Sequence, residues 1–257
     1  MTRQSFLAFP GYTGAVDVAT ADVDGDGARD LIVGTLIGAD HVKVFSGADG
    51  TLIRSFFAYG GFAGGVSVGS ADVDADGRAD VVVGTRTGAD HVKVFAGAGG
   101  GQIRSFLAFG GFTGGVTVAG SGRDVVVGTA TGSTHVKLFT GGDPAALARS
   151  FFAFDGATTG VSVGATDLNG DGVTDILVGT ATGTSHVKAF NGSGATMLSF
   201  FAFPGHTGGV SVAGDGAGLL VGAANTGPAH VKRFDAAGNL GLSFIAFQNF
   251  NGGADVG

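Results

Sequence analysis

Three short acidic segments of the chain have the residue types and the spacing of a cation-binding loop. They span residues 22–30, 72–80 and 167–175, and each carries oxygen side chains at loop positions 1, 3, 5 and 9 with a glycine at position 6. The glycine permits the sharp bend that turns these side chains toward one centre. Because converging carboxylates repel one another unless a cation offsets their charge, the segments predict three Ca²⁺ sites.

The predicted ligands are side-chain oxygens at four loop positions and the backbone carbonyl at position 7. They are Asp22, Asp24, Asp26, Ala28 and Asp30 in the first loop, Asp72, Asp74, Asp76, Arg78 and Asp80 in the second, and Asp167, Asn169, Asp171, Val173 and Asp175 in the third. An EF-hand is excluded, because position 12 is Val33, Val83 or Leu177 and not the bidentate Glu that an EF-hand needs. All 21 acidic residues of the chain are in fact Asp.

The acidic loops lie inside a longer repeat that a His-Val-Lys triplet marks five times. The triplets start at His41, His91, His135, His186 and His230, at successive spacings of 50, 44, 51 and 44 residues. The spacing is 50 or 51 residues where an acidic loop intervenes and 44 where a short glycine turn replaces the loop. The loop is therefore an insertion at a hairpin, and the strands around it do not depend on it.

Each repeat predicts four short β-strands. In the second repeat they cover residues 65–71, 79–85, 91–97 and 103–109, which are rich in β-branched and aromatic residues and are separated by glycine turns. Four strands in a period of 44 to 51 residues are typical of a β-propeller blade, which buries its faces only by stacking on neighbours.

The predicted fold is therefore all-β, a five-bladed β-propeller with four antiparallel strands per blade in one domain over residues 1–257. The predicted blades cover 14–59, 64–109, 114–154, 159–203 and 208–247, with 1–13 and 248–257 as closing or spare strands.

The repeat resembles a known family, the FG-GAP or VCBS-type repeat of integrin α-subunit propellers and many bacterial surface proteins. The resemblance covers nearly the whole chain and is carried by joints such as Phe112-Thr113-Gly114-Gly115-Val116, by the Asp-x-Asp-x-Asp-Gly-x-x-Asp loop and by the Val-Val-Gly strand after it. The usual Gly-Ala-Pro after the second strand is replaced by Gly-Thr or Gly-Ala. The resemblance implies that the loop joins the first two strands and binds Ca²⁺ on one face of the disc.

Closure of the ring has two possible solutions. The Ser-Phe-x-Ala motif of the fourth strand occurs six times, whereas the second and third strands occur five times. Residues 4–9 therefore predict a spare fourth strand, and residues 252–257 predict a fragment of a first strand. Either segment could complete the last blade and leave the other as an edge open to pairing with another chain. A chain cut from a longer array would show the same overhang.

All five lysines of the chain lie in the His-Val-Lys triplets, two residues after the histidine, so both side chains point to one side of the strand. The pairs are His41 and Lys43, His91 and Lys93, His135 and Lys137, His186 and Lys188, and His230 and Lys232. One hypothesis is structural, with Lys bonded to an Asp or to backbone carbonyls of the adjacent blade. The other is a fivefold set of cationic pockets for anionic or polyhydroxyl ligands such as acidic glycans.

Composition excludes several settings for this chain. It contains no cysteine, which rules out disulfides, and no apolar run long enough for membrane insertion. The net charge of −7 argues against a nucleic-acid partner. No signal peptide is visible, so an extracellular or cell-surface location is expected from the calcium loops and the family resemblance alone.

The function predicted from the sequence is a calcium-binding scaffold or binding module for a glycan or protein ligand, without catalytic residues. Catalysis has little support, because Glu is absent and no Ser-His-Asp arrangement stands out. The alternative is a multivalent lectin-like protein with glycan or anion sites between blades. A calcium-dependent polysaccharide lyase or a phytase-like enzyme is a minor alternative.

Overall fold

The computed structural model describes residues 5–97, 99–141 and 146–257, and in these ranges it contains twenty β-strands in five separate sheets. Each sheet is an antiparallel meander of four consecutive strands, and the described residues form no helix. The predicted fold, an all-β five-bladed propeller with four antiparallel strands per blade, is confirmed.

The strands follow the repeat closely. Blade 1 contains β1 (Val16–Ala21), β2 (Asp30–Thr35), β3 (His41–Phe45) and β4 (Leu52–Phe57), and blade 2 contains β5 (Val66–Ala71), β6 (Asp80–Thr85), β7 (His91–Phe95) and β8 (Gln102–Leu107). Blade 3 contains β9 (Val116–Ser121), β10 (Asp124–Thr129), β11 (His135–Phe139) and β12 (Leu147–Phe152). Blade 4 contains β13 (Val161–Thr166), β14 (Asp175–Thr180), β15 (His186–Phe190) and β16 (Thr196–Phe201). Blade 5 contains β17 (Val210–Gly214), β18 (Gly218–Ala223), β19 (His230–Asp235) and β20 (Leu240–Ile245). Each sheet lies within one of the predicted blade ranges.

The radial order of the strands follows from their burial. First strands of successive blades lie against one another, so they form the inner layer, whereas the fourth strands consist only of exposed and half-buried residues. Second strands are buried on both faces, as in β6 with the sequence DVVVGT, because a neighbouring blade covers each side. In the third strand of every blade, the Val of the His-Val-Lys triplet is buried, whereas the His and the Lys on either side of it are half-buried.

The hydrophobic core is divided into four clusters, and each cluster joins one blade to the next. The cluster between blades 1 and 2, for example, packs Ile32 and Val42 of blade 1 against Val66, Val81 and Phe95 of blade 2. Equivalent clusters join blades 2 and 3, 3 and 4, and 4 and 5. A blade is therefore stabilised mainly by its neighbours, as expected for stacked repeats.

A ring of polar side chains links the inner strands around the centre. The second residue of each first strand bonds to the backbone of the next first strand. The bonds join Asp17 to Val68 N–H, Ser67 to Val118 N–H, Thr117 to Val161 O, Ser162 to Val210 O, Ser211 to Ala254 O and Asp255 to Val18 N–H. Residues 252–257 thus occupy the place of a further first strand, between blade 5 and blade 1.

Both terminal segments contact blade 1, and residues 252–257 also contact blade 5, which differs from the expectation that one of the two segments closes the last blade. Residues 5–9 pack on blade 1, where Ala8 O accepts a hydrogen bond from Lys43 Nζ at 2.9 Å and the rings of Phe6 and Phe45 lie 4.9 Å apart. The last blade needs neither segment, because β20 already supplies its fourth strand. Residues 1–4 of the predicted closing strand lie outside the described residues.

Candidate metal-binding loops and interblade lysines

The first acidic loop joins β1 to β2 and is folded by its own carboxylates. Asp22 accepts hydrogen bonds from the N–H groups of Gly25, Asp26 and Gly27 at 2.7–3.1 Å. Gly27 has a φ of +87°, a backbone conformation that favours glycine. Asp30 is fully buried at the start of β2, where its Oδ2 accepts from the backbone of residues 23 and 24. The loop is thus closed around side-chain oxygens.

Three carboxylates of this loop form a compact acidic cluster. One oxygen from each of Asp22, Asp24 and Asp30 lies within 4.8 Å of the others. Desolvation raises the pKa of Asp24, and the negative charges of Asp30, Asp26 and Asp22 raise it further, whereas the hydrogen bond from Asp26 N–H lowers it. A bound cation would favour the ionised form of the Asp24 carboxylate, because it would offset the negative charges around that group.

The second loop repeats this arrangement between β5 and β6. Oxygens of Asp72, Asp74 and Asp80 lie within 4.8 Å of one another. Burial raises the pKa of Asp80, although hydrogen bonds from the N–H groups of Gly97 and Val73 lower it in part. The two loops are adjacent, because residue 79 donates its N–H to the carbonyl of residue 22 at 2.8 Å. Both clusters consist of oxygen donors only, which fits a hard divalent ion such as Ca²⁺.

The third loop has the same backbone but a different side-chain arrangement. Asp167 accepts the equivalent three N–H bonds at 2.8–3.1 Å, and Asp175 Oδ2 accepts from the backbone of residues 168 and 169. Asn169 occupies position 3, and its Nδ2 donates to Asp171 at 3.0 Å. Burial raises the pKa of Asp175, with hydrogen bonds from the Leu168 and Asn169 N–H groups opposing it. Within the described ranges, the acidic clusters that could hold a metal ion are the two in blades 1 and 2.

Positions 5 and 7 of the loops, which are also predicted ligands, bond to each other. The carboxylates of Asp26, Asp76 and Asp171 accept hydrogen bonds from the N–H groups of Ala28, Arg78 and Val173 at 2.7–2.9 Å. The position-5 side chains are exposed and lie outside the two clusters. The structure therefore brings together positions 1, 3 and 9 of the first two loops and keeps position 5 at the rim.

The five lysines share one environment between blades. Each Nζ donates to the carbonyl of an alanine that precedes the blade and lies about 5 Å from the centre of the aromatic ring next to that alanine. The lysine, alanine and ring are Lys43, Ala8 and Phe9; Lys93, Ala58 and Tyr59; Lys137, Ala108 and Phe109; Lys188, Ala153 and Phe154; and Lys232, Ala202 and Phe203, with N–O distances of 2.8–3.0 Å. These contacts supply the acceptors that a structural role of the lysine requires.

The five histidines pair with the serines of the fourth strands. Each Nε2 lies 2.7–2.9 Å from a serine Oγ, in the pairs His41–Ser55, His91–Ser105, His135–Ser150, His186–Ser199 and His230–Ser243. Burial lowers the pKa of every one of these histidines, and the charge of the lysine two residues on lowers it further. The neutral imidazole is therefore favoured, and it packs against neighbouring aromatic rings such as Phe57.

Sequence reasoning did not single out the residue that precedes each triplet. Asp40, Asp90, Thr134 and Ser185 occupy this position in blades 1 to 4, and all four are buried. The Thr134 hydroxyl donates to Phe154 O at 2.8 Å and accepts from Phe154 N–H at 3.2 Å, which holds the turn that follows β12. The sequence does contain a signal for this position, since a small polar residue stands immediately before every triplet except the last one.

Comparison with known proteins places the repeats in a family. Residues 22–83 match the FG-GAP-like repeat, and residues 159–197 match the FG-GAP repeat. No curated protein matches the chain. The described residues contain no helix that is long and apolar enough to cross a membrane.

Two solved structures share the fold at low sequence identity. A chain of the crystal structure of the mitotic checkpoint complex is 15% identical, with a TM-score of 0.58, and the match covers 91% of this chain and 66% of that one. A chain of the crystal structure of Chaetomium thermophilum Raptor is 16% identical, with a TM-score of 0.59, over 93% of this chain and 21% of that one. The chain thus spans less than two thirds of either structure, and the likeness concerns the fold alone. From the matched segments and the five four-stranded sheets, the chain contains FG-GAP and FG-GAP-like repeats that form a β-propeller.

Proposed function

We propose that this chain is a calcium-binding propeller that acts as a scaffold or binding module without catalysis, outside the cell or at its surface. The observation that carries the proposal is the pair of acidic clusters at the same turn of successive blades. Both are within the segment that matches the FG-GAP-like repeat. Loops of this donor type suit the millimolar calcium of extracellular settings.

The proposal assigns three ions, one to each acidic loop. In blades 1 and 2 the ion would be held by the carboxylates at positions 1, 3 and 9. In blade 4 the amide oxygen of Asn169 would replace the position-3 carboxylate, since amide oxygens also ligate Ca²⁺. The equivalent backbone hydrogen bonds to Asp167 and Asp175 support this third site, because they fold the loop in the same way. One carboxylate fewer predicts that the blade 4 site is the weakest.

A scaffold role is favoured over a lectin-like role by the contacts of the lysines. Every ammonium group already donates to a backbone carbonyl and lies against an aromatic ring, as in Lys93 with Ala58 and Tyr59. A ligand bound at these positions would have to displace both contacts of the lysine. The free energy lost with those contacts would about equal the free energy gained from the new ones. The same engagement argues against a catalytic role for the five His and Lys pairs.

A calcium titration of chelator-treated protein tests the metal assignment. We expect three equivalents to bind, and we expect Asp74→Ala to remove one of them, because Asp74 is exposed and contributes to one cluster only. Asp49→Ala is the matched control, since Asp49 is also exposed but bonds to Thr51 in a different turn. Absence of calcium binding by the wild-type chain, or equal loss in both variants, would refute the assignment.

A melting experiment adds a readout that does not depend on counting ions. A ligand that binds only the folded chain stabilises it by about 2.7 kcal/mol per site at a hundredfold excess over its Kd. We therefore expect chelation to lower the melting temperature, while the blades without acidic loops keep the propeller folded. A glycan array and a pull-down with extracellular proteins then test for the glycan or protein ligand of the module.

A further inference from the structure

The first and second acidic loops lie side by side, and residues of the second loop contact the first loop directly. Ala79 stands at position 8 of the second loop, immediately before the carboxylate ligand Asp80. Its N–H donates to the carbonyl of Asp22 at 2.8 Å. Asp22 begins the first loop, and its own carboxylate accepts three backbone N–H bonds there. One hydrogen bond therefore connects the ligand-bearing end of one loop to the anchoring residue of the other.

The side chain of Arg78 makes a second connection between the same two loops. It lies against Gly25 of the first loop, where a Cβ built on the glycine would stand 3.0 Å from Arg78 Nε and 3.3 Å from Arg78 Cγ. Arg78 is at position 7 of the second loop, whose carbonyl oxygen is a predicted ligand. An ion that takes this oxygen would therefore also fix the backbone from which the side chain extends.

The carboxylate of Asp80 provides a third connection, through the turn after β7. Its Oδ1 accepts from Gly97 N–H at 2.9 Å. Gly97 packs closely on two backbone oxygens, since a Cβ built there would lie 2.5 Å from Ala79 O and 2.8 Å from Val23 O. Val23 is at position 2 of the first loop and is fully buried between blades 1 and 2. The residue that closes the second loop thus also holds this turn against the first loop.

The second loop is held by fewer of its own hydrogen bonds than the other two loops. The position-1 carboxylate accepts three backbone N–H bonds in the first and third loops, but in the second loop it accepts two, from Asp76 and Gly77. Position 4 is Ala75 with a φ of +64°, a conformation that costs free energy for any residue with a Cβ, whereas the other two loops have glycine there. An ion in the second loop therefore has the most backbone to order.

We propose that the calcium sites of blades 1 and 2 are positively coupled, whereas the site of blade 4 binds its ion independently. The inference rests on the proposed calcium binding. An ion in the second loop would order residues 78–80, which contact the first loop, so the first loop would lose less conformational entropy when its own ion binds. Because coupling between two sites is reciprocal, an ion in the first loop would strengthen the second site by the same factor. Repulsion between the two ions opposes this effect, but both loops are exposed at positions 4 to 6, where salt screens charge.

The third loop provides the contrast within the same chain. Its position-8 residue, Thr174, makes the equivalent contact with the preceding blade, from its Oγ1 to Ser121 O at 3.4 Å. On the other side, Gly216 N–H of blade 5 donates to Thr166 Oγ1 at 3.2 Å. Both neighbouring turns are the short ones that replace the acidic loop. The third loop therefore contacts no second calcium site to which it could be coupled.

Calorimetric calcium titrations of chelator-treated variants measure the coupling. Asp24→Ala, Asp74→Ala and Asn169→Ala each change position 3 of one loop, so any two of them together leave one loop unchanged. The coupling factor is the product of the two association constants of a chain with two unchanged loops, divided by the product of the two single-loop constants. We expect a factor of about five or more for the first and second loops. For the third loop with either of the others, we expect a factor of about one.

Arg78→Ala tests the route of the coupling, and Arg123→Ala is its matched control. Both substitutions remove one exposed positive charge, but Arg123 bonds to Gly141 O within blade 3 and not to an acidic loop. In the chain that keeps the first two loops, Arg78→Ala should lower the coupling factor by about twofold or more, and Arg123→Ala should leave it unchanged. An equal fall in both variants would assign the coupling to charge alone and would overturn the route through Arg78.

The outcomes separate this inference from the proposed function. Three bound ions in the wild-type chain, with a coupling factor of one or below for the first two loops, would overturn the coupling and leave calcium binding in place. A wild-type chain that binds no calcium would overturn both. Coupling of equal size between the third loop and the other two would indicate a general stabilisation of the propeller, and it would also overturn coupling through neighbouring loops.

Discussion

Replacing Lys93 by methionine removes one ammonium group from an interface that the chain repeats five times. The Lys93 Nζ donates to Ala58 O at 3.0 Å and lies 5.0 Å from the centre of the Tyr59 ring. A hydrogen bond to a charged group contributes about 1.5–3 kcal/mol, and a partly exposed cation–π contact contributes about 0.5–1 kcal/mol. Because methionine keeps the apolar stem of the side chain, Lys93→Met should lower the free energy of unfolding by about 2–4 kcal/mol.

Lys43→Met is the matched control for this substitution. Lys43 makes the same two contacts, but its acceptor Ala8 and its ring Phe9 belong to the segment before β1, outside the five sheets. That segment can detach and return its carbonyl to water without opening an interface between two blades. We therefore expect Lys43→Met to cost about 1 kcal/mol or less, in line with the low stability of chain segments that have few buried contacts.

Urea unfolding at a fixed calcium concentration measures both effects, with the free energy obtained by linear extrapolation. The structural role of the lysines is contradicted if Lys93→Met unfolds at the same urea concentration as the wild-type chain. A variant of unchanged stability that has lost binding to an acidic glycan would support the fivefold ligand sites instead.

Three further substitutions test other parts of the propeller. Desolvation by the surrounding inner strands and the negative charge of Asp17 raise the pKa of Asp255, although its side chain is exposed at the end of the chain. The folded state therefore holds a proton on this carboxyl more tightly than the unfolded state, and the free energy of unfolding falls as the pH rises from the unfolded pKa through the raised folded pKa. Asp255→Asn should therefore raise the melting temperature at pH 7, and a pH series should show this gain vanishing below about pH 4, near the unfolded pKa. Gly115→Ala should unfold the chain at lower temperature than Gly110→Ala, because both have a positive φ but only at Gly115 would the new Cβ meet a backbone oxygen, at 1.9 Å. Thr134→Val should cost about 1–3 kcal/mol in urea unfolding, since it leaves the backbone N–H and carbonyl of Phe154 without their hydroxyl partner; an unchanged midpoint would contradict this.

The blade architecture was predictable because its signals are local and repeated. The β-branched runs, the glycine turns and the 44 to 51 residue period predict four strands per unit, and the strands of blade 2 lie within two residues of the predicted ranges at every boundary. The acidic loops were equally readable, since positions 1, 3 and 9 are set by the spacing of residues within one turn. The clustering of Asp22, Asp24 and Asp30 follows from that spacing.

The sequence by itself determined the repeat unit, the strands of each blade and the turns that carry the acidic residues, because these depend on residues a few positions apart. Only the tertiary structure decided which blade each terminal segment joins and what each lysine contacts. These contacts connect residues far apart in sequence, such as Asp255 with Val18 and Lys43 with Ala8. They depend on how the blades pack around the centre, and no local pattern records that packing.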